Sequence, residues 1–216
     1  KQGAAAGIAF DGDGDRCLFV DASGELVDGD QLLWLLAQDR HDRGKPLPGL
    51  VGTLMTNGGL EEALRGLGIP LVRTAVGDKF MLRELAVRGW DLAAEASGHV
   101  IQKQVGPSGD GLATTLAVLR ALLMRPPEAR WMWRFQSWPL KLVNLTAAER
   151  RPVEACTQLS AAMENLAALH GDTIRMVVRW SGTEPKLRLM VEARELTLME
   201  ETIATLEVAA RADLSL

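Results

Sequence analysis

The chain has 216 residues and a formal net charge of -4, from 24 Lys+Arg against 28 Asp+Glu. That balance excludes a nucleic-acid partner held by bulk electrostatics, and no dense basic block breaks the pattern. Its 47% apolar content is enough for one large domain or two modest ones. The two cysteines, Cys17 and Cys156, lie too far apart to read as a disulfide framework or a zinc site. No apolar run approaches the roughly 18 residues that a bilayer span requires, and no signal-peptide pattern opens the chain. A reducing cytoplasm is therefore the expected location, with no membrane partner. The chain opens Lys1-Gln2-Gly3 and reaches a strand almost at once, so an upstream segment is expected.

In chain order, Gly7 to Phe10 and Cys17 to Val20 read as strands flanking Asp11-Gly12-Asp13-Gly14-Asp15-Arg16. Alternate residues of extended backbone face the same way, so the three carboxylates are expected to converge on one point. Three close carboxylates repel one another, and a hard divalent cation such as Mg2+ relieves that repulsion. An EF-hand loop would need glycine at its sixth place and glutamate at its twelfth, where Arg16 and Ala22 stand, so that reading fails. A phosphatase attacking through an aspartate also fits an Asp-x-Asp pair after a strand, and the hook by itself leaves it open.

Asp21 to Gly24 reads as a turn, Glu25 to Val27 as a returning strand, and Asp28-Gly29-Asp30 as the start of a helix. Strands near Leu50–Leu54, Ile69–Thr74 and Trp90–Ala94 alternate with helices, the pattern of an α/β layer with a parallel or mixed sheet. A short strand near Val100–Lys103, a glycine-rich turn and an apolar helix capped by Asp110 follow. Pro126-Pro127 and the aromatics Trp131, Trp133, Phe135 and Trp138 then read as a linker whose rings pack between domains. Beyond it, strands at Leu140–Leu145, Thr173–Trp180 and Lys186–Glu192 and helices at Pro152–Leu169 and Glu195–Ala212 make a small α+β domain.

Three further groups carry chemistry. Ser181, Gly182 and Thr183 sit on a tight loop and offer hydroxyls and backbone N–H groups suited to an anion. Arg179 and Arg188 flank that loop, and guanidinium forks match phosphate oxygens. Glu95, Ser97 and His99 place a carboxylate, a hydroxyl and an imidazole within five residues, suited to gripping sugar hydroxyls and moving protons. Lys79 follows Gly77-Asp78 at a helix start; alone it reads as a solvated helix residue. His41 and His170 sit at helix ends or turns and read as structural.

The ordered set Asp11-Gly12-Asp13-Gly14-Asp15-Arg16, Val27-Asp28-Gly29-Asp30, Val76-Gly77-Asp78-Lys79, Glu95-Ala96-Ser97-Gly98-His99, Gly109-Asp110-Gly111 and Arg179-x-Ser181-Gly182-Thr183-Glu184-Pro185 resembles the α-D-phosphohexomutases, and within them the bacterial phosphoglucosamine mutase branch. The resemblance implies a mixed α/β phosphohexomutase domain followed by a small α+β C-terminal domain. Residues 1–22 would end the family's second domain, 23–125 would form the third, 126–138 a linker and 139–216 the fourth. It further implies isomerisation of a phosphosugar, glucosamine 6-phosphate to glucosamine 1-phosphate, through a bisphosphate and a phosphoserine. Asp11, Asp13 and Asp15 would hold Mg2+, with Arg16 beside them; His99 and Lys79 would move protons; Glu95 and Ser97 would grip the sugar. Arg179, Ser181, Gly182, Thr183 and Arg188 would bind the non-reacting phosphate, facing the acidic cradle across one cleft.

Departures from the family pattern are Ala93, Ala94 and Ala96, where glycines and a glutamine or methionine are usual. Nothing here resembles the family's Thr-Ala-Ser-His-Asn-Pro loop, so the N-terminal mutase domains are expected as missing partners and the chain alone is expected to be inactive. Two rivals are a non-catalytic phosphosugar-binding protein and the aspartyl-nucleophile phosphatase; the phosphatase leaves the Ser181 to Pro185 loop unexplained.

Overall fold

The computed structural model describes residues 3–45, 47–126, 129–130 and 133–214. The chain divides into two compact units, Lys1–Gln136 and Ser137–Leu216.

In the first unit, strands β1 (Ala6–Phe10), β2 (Cys17–Asp21) and β3 (Leu26–Val27) form an antiparallel sheet in the order β1-β2-β3. The second sheet, β5-β4-β6-β7, has β4 (Leu50–Thr53) parallel to both β5 (Leu71–Thr74) and β6 (Leu92–Ala94). Strand β7 (Val100–Gln102) runs antiparallel to β6. Side chains alternate across such a sheet, and here they sort into two cores. Leu50, Leu92, Ala94 and Val100 join α1 (Gly29–Asp42), α2 (Gly58–Gly66) and α4 (Gly111–Leu123) on one face. Val51, Ala93 and Ile101 pack with Met81 and Leu85 of α3 (Asp78–Arg88) on the other. The result is an α/β/α sandwich with a mixed sheet, in keeping with the sequence pattern.

The helices begin where short polar side chains satisfy free N–H groups. The side chain of Asp28 accepts from the Gln31 N–H, Asn57 from Gly59 and Asp110 from Ala113. These caps lie beside the carboxyl ends of the parallel strands, so the helix starts cluster with the loops that follow β4, β5 and β6. Trp133 and Phe135 are buried in the α1/α4 core, and their carbonyls accept from Trp34 Nε1 (2.5 Å) and Gln31 Nε2 (3.2 Å). They therefore complete the first unit's core, a correction to the expectation that they fill a space between domains. Trp131 lies outside the described residues.

The second unit is an antiparallel sheet, β8-β10-β9, made of β8 (Leu140–Thr146), β10 (Lys186–Ala193) and β9 (Ile174–Trp180). Leu145, Leu187, Leu189 and Val191 on one face pack with α5 (Thr157–His170) and α6 (Leu196–Leu214). A 3-10 turn at Val153–Ala155 precedes α5, where one continuous helix from Pro152 was expected. The Trp138 ring lies under the Arg194 guanidinium at 5.5 Å.

Candidate metal and phosphate sites

The acidic hook joins β1 to β2, and its three aspartates place one oxygen each within 4.8 Å of one another. The backbone is bent through 12–15, not extended as strand alternation would require, and Gly14 takes a φ of 75°. That left-handed turn suits glycine. It folds the loop back, so that the Gly14 N–H donates to the Asp11 carbonyl at 3.3 Å. The Gly14 carbonyl in turn accepts from Gly111 N–H at 2.9 Å, tying the hook to the start of α4.

The hook's charge is partly balanced from within. Arg16 Nε lies 3.4 Å from Asp11 Oδ2 and 3.6 Å from Asp15 Oδ1, and Arg16 N–H donates to Asp11 Oδ1 at 3.2 Å. Partial desolvation works against ionisation of Asp11. The Arg16 N–H, the Asp15 side chain and the Arg16 guanidinium together outweigh it and hold the Asp11 carboxyl below its usual range. Asp15 Oδ1 is buried with no hydrogen-bond partner. A convergent set of carboxylate oxygens with one buried lone pair left unsatisfied fits a hard, oxygen-loving divalent cation.

The segment after β6 wraps against this hook. Cys17 N–H donates to the Gly98 carbonyl at 3.1 Å, and Arg16 and His99 form an antiparallel bridge. His99 is 5% exposed, with Nδ1 at 3.1 Å from Asp15 Oδ2. Its ring lies flat against Gly109, where an added Cβ would overlap the imidazole. The histidine thus backs the acidic loop and is closed off from solvent. The Gly109-Asp110-Gly111 motif is plain in the sequence, whereas this use of it is not.

Glu95 Oε1 accepts from the Gly77 N–H (2.8 Å) at the start of α3, and Ser97 Oγ donates to Glu95 Oε2 at 3.3 Å. Ser97 is exposed, and it shares a cavity of about 220 Å³ with Asp11 and Arg16. The loop approaches α1 so closely that a Cβ at Gly29 would overlap the Glu95 carbonyl. Lys79 is exposed on the first turn of α3, with Nζ 4.9 Å from the Phe80 ring centre. Cys17, buried beneath, is no nucleophile: burial pushes its thiol pKa up, and the Asp110 charge adds to the shift. The fold therefore brings Asp11, Asp13, Asp15, Arg16, Glu95, Ser97 and His99 to one end of the first unit, with Lys79 on the helix that Glu95 caps.

In the second unit, Arg179 and Arg188 stand directly opposite each other on β9 and β10, and Asn144 of β8 stands opposite Arg188. Opposed residues share a sheet face, and like charges so placed destabilise a sheet. Arg179 has no acidic partner among the described residues. Arg188 reaches Glu184 at 3.7 Å and Ser181 Oγ at 3.4 Å, and its Nε is buried without an acceptor. The loop itself is fastened from behind. Ser181 N–H donates to the Lys186 carbonyl (2.8 Å), and the buried Ser181 hydroxyl accepts from the Glu184 N–H at 3.4 Å. Arg150, which no sequence motif singles out, donates to the Glu184 carbonyl at 2.7 Å. Lys186 bonds Glu184 at 2.6 Å, and that bond, its charge and Arg188 hold the Glu184 carboxyl below its usual range. Gly182 and Thr183 are left exposed at the tip.

Two domain descriptions of one family match this chain: phosphoglucomutase/phosphomannomutase α/β/α domain III over residues 28–131, and the C-terminal domain of the same proteins over residues 142–207. The chain belongs to the phosphoglucomutase/phosphomannomutase family. Among curated relatives, the phosphoglucosamine mutase of Delftia acidovorans is 46% identical over 190 residues, covering 88% of this chain and 42% of that protein. That of Azotobacter vinelandii is 46% identical over 201 residues, covering 88% of this chain and 43% of that protein. A Burkholderia thailandensis phosphoglucomutase/phosphomannomutase family protein superposes with a TM-score of 0.77 at 24% identity, over 97% of this chain and 47% of that one. Aspergillus fumigatus N-acetylphosphoglucosamine mutase, solved with GlcNAc-6P and magnesium, superposes with a TM-score of 0.76 at 23% identity, over 96% of this chain and 48% of that one. At such identity the two superpositions speak for the fold. This phosphohexomutase chain spans a little under half the length of the relatives it matches. Among the described residues, no helix is long and apolar enough to cross a membrane.

Proposed function

We propose that this chain supplies the metal loop, the sugar loop and a phosphate loop of a phosphoglucosamine mutase that interconverts glucosamine 6-phosphate and glucosamine 1-phosphate. The observation that carries the reading is the convergence of the Asp11, Asp13 and Asp15 oxygens within 4.8 Å, in a chain of this family. On this reading the three aspartates hold Mg2+, which when bound neutralises charge on the phosphoryl group in transfer. Arg16 limits the hook's own repulsion and adds positive charge at its rim. Glu95 and Ser97 accept and donate hydrogen bonds to sugar hydroxyls. Exposed Lys79 is free to meet a phosphate or donate a proton. His99 fixes the position of Asp15 and does not touch the sugar, a revision of the proton-transfer role that the resemblance implied.

Arg179 and Arg188, with Ser181, Gly182 and Thr183, take the phosphate that does not react. An anion seated there converts a repulsive pair of guanidiniums into a clamp, with charge-assisted hydrogen bonds to both. The serine that carries the transferred phosphate belongs to polypeptide that this chain does not contain, and residues 1–22, 23–125 and 139–216 would then be the end of the family's second domain, its third and its fourth.

The test is to extend the chain upstream until a Ser-His-Asn-Pro loop is included and to assay conversion of glucosamine 6-phosphate to glucosamine 1-phosphate with Mg2+. Conversion that disappears with Asp13→Asn supports the proposal. A longer chain that carries the loop and still isomerises no hexose phosphate overturns it. Should the extension hold no such serine while the chain binds sugar phosphate, a non-catalytic phosphosugar-binding protein becomes the better account.

A further inference from the structure

The first unit has a second concave surface at the opposite end of its parallel sheet. A cavity of about 540 Å³ lies where α1 ends, β4 and β6 begin and α4 nears its last turn. Helix α1 spans 14 residues, so this cavity stands roughly 20 Å from the loops around Glu95 that meet the helix's first turn. Four cationic side chains line it, Arg40, Arg43, Lys45 and Arg120, against two carboxylates, Asp39 and Asp91.

The two carboxylates do not consume the four cations. Asp39 is 6% exposed and its Oδ2 accepts from Arg43 Nη2 and Arg120 Nη2, both at 2.6 Å. One buried acid thus fixes two guanidiniums side by side at the wall. Asp91 Oδ2 accepts from Gln104 Nε2 at 3.1 Å and lies 3.9 Å from Arg40, too far for a hydrogen bond. The Arg40 side chain is only 19% exposed, yet its guanidinium has no other acceptor among the described residues. The Lys45 ammonium has none at all among them. Two cations are left over in a hollow whose volume lies within the range of small-molecule sites. A sheltered guanidinium with no hydrogen-bond acceptor among the described residues is open to an anion, which would supply charge-assisted hydrogen bonds.

We propose that this cavity binds a small phosphate-bearing metabolite, its phosphate held by Arg40 and Lys45 and its remaining oxygens facing the braced Arg43 and Arg120. The site is separate from the metal loop and does not rest on the mutase reading. Inorganic pyrophosphate in metal-free buffer is the probe, titrated calorimetrically into the full chain. Arg179→Ala first removes the loop in the second unit as a competing site. In that background, Arg40→Ala/Lys45→Ala should weaken the remaining binding by at least roughly tenfold, the fold-change of one lost charge-assisted contact, and by more where both cations engage the phosphate. Lys45→Ala alone, at an exposed position with no side-chain partner among the described residues, should leave the melting temperature unchanged and still weaken binding. Pyrophosphate affinity that is indifferent to both variants, or undetectable at millimolar probe in the Arg179→Ala chain, overturns the proposal.

Discussion

The hook in the first unit and the loop in the second are both knots of like charge, and they are held by different means. The hook's carboxylates are gathered by a turn at Gly14 and propped by neighbours: α4 through Gly111, His99 against Asp15, and Arg16 across Asp11 and Asp15. The arginines, opposite in sign, are gathered by strand register, Arg179 across from Arg188, with Arg188 also meeting Ser181 and Glu184. A fold tolerates such repulsion where something of opposite charge is to be bound, since binding relieves what Arg16 at the hook and Glu184 at the loop leave uncompensated. Removing one member should therefore harm binding in both places, while stability responds differently. The hook's supports would lose a partner; the sheet would lose a repulsion.

The largest effect should fall on the hook. Asp13→Asn is expected to weaken Mg2+ binding by more than the roughly 10–100-fold typical of an outer-shell change, read by calorimetric titration of the chain. Unaltered affinity would mean the three oxygens do not act together. Next comes Arg179→Ala, expected to weaken sugar-phosphate affinity by about 1.5–3 kcal/mol. The same variant should melt at the same temperature as the parent or higher, because it deletes a like-charge cross-strand pair. A clear drop in melting temperature would show that Arg179 supports the sheet and would erase the contrast between the two knots.

His99→Asn sharpens the comparison from the other side. It should reduce Mg2+ affinity within roughly 10–100-fold, through Asp15, while leaving phosphate affinity at the second unit's loop unchanged. If metal binding is untouched and only turnover of a longer chain falls, the histidine works on the substrate after all. The smallest effect concerns Asp28, the cap of α1. Burial pushes its carboxyl pKa up, and that outweighs the hydrogen bond from Gln31. A carboxyl raised in the folded state takes up its proton more readily there than in the unfolded chain. Its destabilising contribution therefore grows as pH rises from the ordinary aspartate value of 3.8 through the raised one. Asp28→Asn keeps a good cap and removes the buried charge. It should match or exceed the parent's melting temperature at pH 7, with the difference vanishing toward pH 3. A variant less stable at pH 7 would show that the charge itself, beside Arg134 and the helix start, is what stabilises.

Much of the architecture is legible in the order of residues alone. Alternating strands and helices announce the layered first unit, and the spacing of Asp11, Asp13 and Asp15 announces that their carboxylates gather at one point. The features that stay hidden depend on contacts between distant segments. The burial of His99 follows from Gly109, ten residues on, lying flat against its ring. Extended geometry is the wrong expectation for the hook because the carboxylates meet through a bend at Gly14 and not through strand alternation. Trp133 and Phe135 look like filler between domains, since nothing local says that Trp34 and Gln31 of α1 reach their carbonyls. The cavity of Arg40, Lys45, Asp91 and Arg120 has no motif at all, because its charges are spread over some 80 positions and only the packing of α1 and α4 beside the start of β6 collects them.

One hydrogen bond has a consequence for how occupancy can be sensed. The amide of Gly77, immediately before α3, is held by the same Glu95 carboxylate that is proposed to meet the sugar. A ligand hydroxyl that drew Glu95 Oε1 toward itself would release that amide, and Lys79 lies on the helical turn that follows. Amide exchange at Gly77 would then act as a reporter, quickening when the sugar loop is filled and slowing when it empties.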